Sequence, residues 1–268
     1  MRAVLLAGSL LALVGGCATT GEDYFEDEHE EGDHFHGEID QEDPFFDELA
    51  DSSGTVKAQL GRCSTSGVLG LSLQIVDELN CISPGSLVRI DPSDRIVFSS
   101  DAVLPYFSPE AKAALEKASK EKIIQVNSGF RTVIQQHMIY SWRRKRRCGI
   151  SAAARPGRSR HESGRAIDTR NPGTIKYAMR RQGWSRPVKG DLIHFEHLGS
   201  PDLSGLDILA FQRLWNRNNP KDMILEDGTY DELTLDRMNR SPADGFRVGA
   251  ICEQLLGDGE YHDFFGAW

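Results

Sequence analysis

Ser159-Arg-His-Glu-Ser-Gly-Arg-Ala-Ile-Asp168, followed further on by Asp191-Leu-Ile-His-Phe-Glu196, sets two histidines and two aspartates at short, defined spacings. His161, Asp168 and His194 offer two imidazole nitrogens and one carboxylate oxygen. That donor set suits Zn²⁺, with a fourth tetrahedral position left open. Asp191, three residues before His194, is placed to handle the proton of a water molecule there. Gly164 supplies the backbone freedom for a turn that would bring a loop histidine and a strand aspartate to one metal. Taken singly, either histidine reads as a hydrogen-bonded structural residue. Taken together, the four residues point to hydrolysis.

Outward from these segments, helix and strand signals alternate. Ser108-Pro-Glu-Ala-Lys-Ala-Ala-Leu-Glu-Lys-Ala-Ser119 predicts a helix: serine at the N-cap, proline next, an acid in the first turn. A strand is expected over Ile123–Asn127 and a second helix from Thr132 to about Arg147. Ser86–Ile90, Arg95–Ser99, Ile167–Thr169 and Leu192–Glu196 read as short strands, with a helix at Ile175–Arg181. Leu69–Asn80 reads as either a strand or a short helix. Short, mostly antiparallel strands among helices imply an α+β fold rather than a doubly wound sheet. No G-x-G-x-x-G or P-loop occurs, which removes nucleotide chemistry from the candidates.

Ser128-Gly-Phe-Arg131, then Ser-x-His-x-x-Gly-x-Ala-x-Asp over 159–168, then Asp-x-x-His-Phe-Glu over 191–196 resembles the zinc D-Ala-D-Ala carboxypeptidase family. That family takes in vancomycin-resistance D,D-peptidases, phage endolysin L-Ala-D-Glu peptidases and the Hedgehog fold. The resemblance spans roughly residues 86–200. It implies a Hedgehog/D,D-peptidase-like zinc domain with His161, Asp168 and His194 as ligands, Asp191 as general base and Arg131 as the group that polarises the substrate carbonyl. It also implies substrate contacts from Ser159 and Gln135. An arginine is a permanent cation, suited to a developing oxyanion. Glu196 and His197 are candidates to orient the ligands. Many relatives that release dipeptides carry Glu where this chain has Asp191, so the bond cut stays open. Removal of terminal D-Ala leads, and an endopeptidase acting on cross-links or L-Ala-D-Glu bonds is the alternative. An inactive, metal-retaining wall-binding lipoprotein is the alternative of another class.

The remainder of the chain supplies an address. Met1 to Cys17 has one basic residue, an apolar stretch from Ala3 to Val14, and Gly15-Gly16 before Cys17. It reads as a signal segment over 1–17, and Val-Gly-Gly-Cys resembles a bacterial lipobox with Cys17 as the lipidated residue. Ala18 resembles the pattern of lipoproteins carried to the outer membrane. The expected location is therefore the cell envelope, lipid-anchored and facing the periplasm. Gly21–Asp51 holds fifteen acidic residues and no Lys or Arg. The overall −9 thus hides 30 basic against 25 acidic residues over 52–268. So charged and so poor in aliphatics, 18–55 is expected to be a disordered tether, its His29, His34 and His36 solvated. A catalytic domain is expected over 56–200.

Four cysteines besides Cys17 suggest two disulfides in an oxidising compartment. Of three possible pairings, Cys63–Cys81 with Cys148–Cys252 is favoured because the first closes a short loop. Residues 201–268 are expected to form a small all-α module. Phe211-Gln212, Asp227-Gly228, Tyr230 and Thr234 resemble the three-helix peptidoglycan-binding module, with Asp231 where that module usually has Gly. The alternative is a packing appendage, with Phe211, Leu214, Trp215 and Leu225 as its mini-core. The run Arg143-Arg-Lys-Arg-Arg147 would suit nucleic acid in a cytosolic protein, whereas export makes it a solvated basic face at a helix end, with contact to anionic cell-wall or lipopolysaccharide groups as the alternative. The expected partners are peptidoglycan and, through the anchor, a membrane; neither nucleic acid nor an obligate protein partner is expected.

Overall fold

The computed structural model describes residues 54–252. The expected signal segment with Cys17 and nearly all of the expected tether lie outside the described residues. The described chain begins with α1 (Val56–Gln59) and a 3-10 turn at Thr65–Val68. Next comes α2 (Leu69–Ile82), where Leu71, Ile75, Val76 and Leu79 are buried at helical spacing, which settles the strand-or-helix ambiguity. Short strands β1 (Val88–Arg89), β2 (Ile96–Phe98) and β3 (Tyr106–Phe107) follow.

The Ser108 hydroxyl accepts from the Ala111 amide and starts α3 (Pro109–Glu121). β4 (Ile124–Ser128) leads into α4 (Val133–Arg144), capped by Thr132 through the Gln135 amide. A 3-10 turn at Arg160–Ser163 precedes β5 (Ala166–Thr169), α5 (Pro172–Arg181), β6 (Trp184–Ser185) and β7 (His194–His197). The described chain closes with α6 (Leu206–Asn218) and α7 (Glu232–Arg240).

Five strands form one sheet in the order β2-β4-β5-β7-β6, and β1 pairs with β3 apart from it. Only β2–β4 is parallel, so the mixed α+β architecture agrees with the reading of the sequence. One core lies between the sheet and helices α3 and α5. Ala111, Leu115 and Ala118 from α3 and Ile175 and Met179 from α5 meet Val126, Ile167 and Phe195 of the strands. The second core is helical and contains Leu71 and Ile75 of α2, Val133 and Met138 of α4, and Phe211 and Leu214 of α6.

Helices α6 and α7 share that second core with α2 and α4; Phe211, Leu214, Trp215 and Met238 are buried within it. Leu225, expected beside them, is 73% exposed. Arg217 on α6 grips Glu78 on α2 through both carboxylate oxygens, at 2.9 and 3.0 Å. The signature residues of the tail are internal scaffold. The Gln212 amide accepts from the Asp227 and Gly228 amides and donates to Asp227, Thr229 and Thr234. Asp231 caps α7 by accepting from the Thr234 amide at 2.7 Å.

The disulfides correct the expected pairing: Cys63 bonds Cys148 and Cys81 bonds Cys252. The reason is α2. Its 14 residues extend about 21 Å and carry Cys81, near their C-terminal end, away from Cys63, which precedes their start, so the short loop does not close. The end of α4 comes to Cys63 instead, where the Trp142 indole and Arg147 donate to the carbonyls of Leu60 and Gly61.

Candidate metal centre

Strand register assembles the site. Asp168 on β5 lies directly opposite His194 on β7, and Ser128 on β4 lies opposite Asp168 on its other side. Alternation along the strands turns Ile167 and Phe195 into the sheet's core, while Asp168, His194 and Glu196 take the other face. His161 arrives from the 3-10 turn, which a capping box fixes: Ser159 accepts from the turn's amides and Glu162 accepts from Ser159. Gly164 ends the turn in the left-handed region at φ 73°, where a Cβ would come within about 3.0 Å of the Leu203 and Leu87 side chains. The expected role of this glycine is what the backbone shows.

His161, Asp168 and His194, all buried, bring ligand atoms within 4.8 Å of one another. The tautomers follow from the neighbours. His161 Nδ1 lies 2.9 Å from the Gly129 carbonyl, which can only accept, so its lone pair is on Nε2, 3.2 Å from Asp168 Oδ2. His194 Nε2 faces Glu196 Oε1 at 3.2 Å, leaving Nδ1 toward Asp168 Oδ1 at 3.0 Å. Two imidazole nitrogens and a carboxylate thus converge, each ligand held from behind. The donor set fits a divalent metal.

Electrostatics agree with that use for Asp168 and His161. Burial opposes ionisation of Asp168, yet His161, His194 and Arg131 hold its carboxyl well below the usual range. Burial lowers His161. It would lower His194 as well, but the hydrogen bonds to Asp168 and Glu196 raise it. Burial lifts Glu162 to about 7 against the amides of Gly157 and Ser159 that it accepts from.

Arg131 lies at the same site and is engaged on three sides. It donates from Nε to Ser128 at 2.8 Å, from one terminal nitrogen to Gln136 at 3.1 Å and from the other to Asp168 Oδ2 at 3.0 Å. Asp191 is exposed on the cleft rim, its Oδ1 accepting from the Ile193 amide at 3.3 Å, and its charge reaches Arg131. Ser159 and Gln135 line the same cleft, of about 1070 Å³. The Ser159 hydroxyl is turned to the His161 amide and the Gln135 amide donates to the Ala102 carbonyl at 3.0 Å. Both therefore also shape the walls. Glu196 orients His194, whereas His197 points away to Ser200 and packs on Trp184.

Sequence reasoning missed Ser128 and Gln136 as anchors of Arg131, the Gly129 carbonyl as the orienter of His161, and the structural part of Glu162. Glu162 carried a signal, because Ser-x-x-Glu at 159–162 is a capping-box pattern. The others depend on strand register and helix rotation.

A mixed sheet carrying a His/Asp/His cluster at the foot of an open cleft is the framework of a metal-site domain. Residues 105–191 match the family model VanY, D-alanyl-D-alanine carboxypeptidase. The matched stretch holds Arg131, Ser159, His161, Asp168 and Asp191. It ends three residues short of His194, which the register with Asp168 supplies. No curated protein matches the chain.

Proposed function

We propose that this chain is a zinc-dependent peptidase acting on peptidoglycan stem peptides, and that it removes a terminal D-Ala. The observation that carries the reading is the convergence of His161 Nε2, Asp168 and His194 Nδ1 on one point, inside a stretch that matches a carboxypeptidase family. Zn²⁺ held by these three groups would supply Lewis acidity and a lowered water pKa. The chain does the rest. Asp191 accepts the proton of the attacking water and returns it to the leaving amine. Arg131 fixes the Asp168 carboxylate and places a cation at the cleft floor, where negative charge develops on the scissile carbonyl. Glu196 and the Gly129 carbonyl keep the two imidazoles in one tautomer each.

Signal and lipobox patterns over residues 1–17 support an envelope location through a lipid on Cys17. Cys17→Ser should move the chain from the membrane fraction to the soluble one. The tail is proposed to touch the cell wall. Met223 and Leu225, exposed between α6 and α7, are the positions to change in a co-sedimentation assay with insoluble peptidoglycan.

Digestion of purified stem peptides by the full chain, read by mass spectrometry, tests the activity. Loss of one alanine from pentapeptides is expected. Release of cross-linked partners, or cleavage between L-Ala and D-Glu, would make the chain an endopeptidase instead. Intact substrate with metal bound would leave a wall-binding protein.

A further inference from the structure

Helix α4 runs along the cleft. Gln135, Ile139 and Arg143 recur every four residues and all line it, so one stripe of the helix, starting four residues after the Arg131 that holds Asp168, extends along the cleft to the C-terminal turn. The eight residue steps from Gln135 to Arg143 rise about 12 Å, the length of about three to four residues of extended peptide. At that end a second cavity of about 480 Å³ adjoins the cleft, walled by Arg143, Arg144, Arg146 and Arg147 and sharing Arg143 and Ile150 with it.

Among the described residues no Asp or Glu forms an ion pair with any of these four arginines. Arg147 donates to the Gly61 carbonyl and Arg144 lies over the Tyr140 ring. The backbone here is also unusual. Arg146 and Cys148 have φ of 51° and 58°, left-handed values that strain side-chain-bearing residues. The Cys63–Cys148 disulfide holds the turn in place. Strained backbone and unmatched like charges both oppose folding, and here both lie at the end of a substrate-sized cleft. Arg158 and Lys189, also unpaired among the described residues, extend the positive lining toward the metal centre.

We propose that Arg143, with Arg146 and Arg147 behind it, forms a subsite for a carboxylate carried by the peptide about three to four residues from the bond that is cut. An arginine can take such a carboxylate through two parallel hydrogen bonds. The inference rests on the peptidase reading to set direction. Removal of a terminal residue leaves one residue beyond the bond, so the recognised carboxylate lies on the N-terminal side. The cleft therefore selects acidic peptides.

The test uses the full chain and fluorescent peptides ending in D-Ala-D-Ala, with Glu or Gln placed third or fourth before the bond. Binding is read by anisotropy and cleavage by steady-state kinetics. The Glu peptide should bind at least fivefold tighter at low salt, and the preference should sit in KM with kcat unchanged. Arg143→Gln should erase it. Lys145→Gln removes the same charge one residue pair along the chain, outside both cavities, and should keep it. Equal binding of Glu and Gln peptides to the unaltered chain overturns the subsite, as does Lys145→Gln erasing the preference as fully as Arg143→Gln. A binding preference without cleavage sustains the subsite while refuting the peptidase reading; cleavage with no preference does the reverse.

Discussion

Arg131 donates to Oδ2 of Asp168 at 3.0 Å, and the same oxygen lies 3.2 Å from His161 Nε2. One cation therefore holds the carboxylate in line with both histidines. The guanidinium has three acceptors, Ser128, Gln136 and Asp168, so its plane is fixed as well as its position. Arg131→Gln should weaken metal binding roughly 10- to 100-fold, as loss of a group supporting a ligand does. It should also lower kcat by about 10²-fold. Arg131→Lys restores charge without the fork and should recover little. Chelator-competition titration and turnover separate the two effects, and full activity in the Lys variant would show that charge alone matters.

One metal per chain is expected, and His161→Ala should abolish it in elemental analysis. Affinity should also depend on pH. As a ligand His194 would use a lone pair that a proton can take, and its hydrogen bonds with Asp168 and Glu196 raise its pKa after burial has lowered it. Acidification through that pKa should weaken binding about tenfold per pH unit for one displaced proton. Binding that stays flat from neutral to mildly acidic pH would remove His194 from the ligand set.

Asp191→Asn should keep the metal and lose about 10²-fold or more in kcat, because it removes a proton acceptor and no ligand. The exposed position on the rim predicts an unchanged melting temperature. Near-normal turnover would shift the proton transfer to Glu196, which lies against His194.

How much of this was legible in the sequence depends on range. Ser108 and Thr132 announce α3 and α4 through local capping chemistry, and the three metal-site residues are visible because their motifs are short. Their opposition across the sheet is not. Ser128, Asp168 and His194 form a row across β4, β5 and β7 only through strand register, and the pairing partners lie far apart in sequence. The cysteines show the same limit: counting gave two bonds, but the pairing was decided by the length of a helix whose identity the local pattern left open. Likewise Phe211, Leu214 and Trp215 were recognisable as apolar anchors, while the core they join includes α2 from the far end of the described chain.

His137 on α4 should make stability pH-dependent. Burial pushes its pKa down to about 4, opposed by Asn239. Its neutral form suits both neighbours, with Nε2–H donating to Asn239 and Nδ1 accepting from Tyr230, each at 3.2 Å. An unfolded histidine titrates near 6.5. Between about 6.5 and 4 the unfolded chain therefore binds a proton that the folded one refuses, and stability falls as pH drops through that window, by about 3 kcal/mol in all. Glu162 contributes the opposite slope, because its carboxyl is pushed up to about 7 and folding loses stability as it ionises on raising the pH. The measurement is thus a difference: denaturant melts of the chain and of His137→Gln from pH 7 to 4. The variant should lack the acid-side loss, and parallel curves would refute the assignment.

The last two helices should prove inseparable from the catalytic part. Truncation after Ser200 would uncover the faces of α2 and α4 that Phe211, Leu214 and Trp215 cover. It would also leave Glu78 buried without Arg217, and Cys81 without Cys252. Loss of a buried ion-pair partner alone costs about 3–5 kcal/mol, a large part of the roughly 5–15 kcal/mol that holds a domain folded. The truncated chain should therefore show no cooperative melt and should be digested rapidly. Cys252→Ser is the milder case. On the chain-entropy model a bond spanning 171 residues contributes about 5 kcal/mol at most, and the helical packing remains. That variant should fold with a lower melting temperature, and peptide mapping under non-reducing conditions should still recover Cys63–Cys148. A truncated chain that melts cooperatively and binds one metal would show that the tail is an independent module after all.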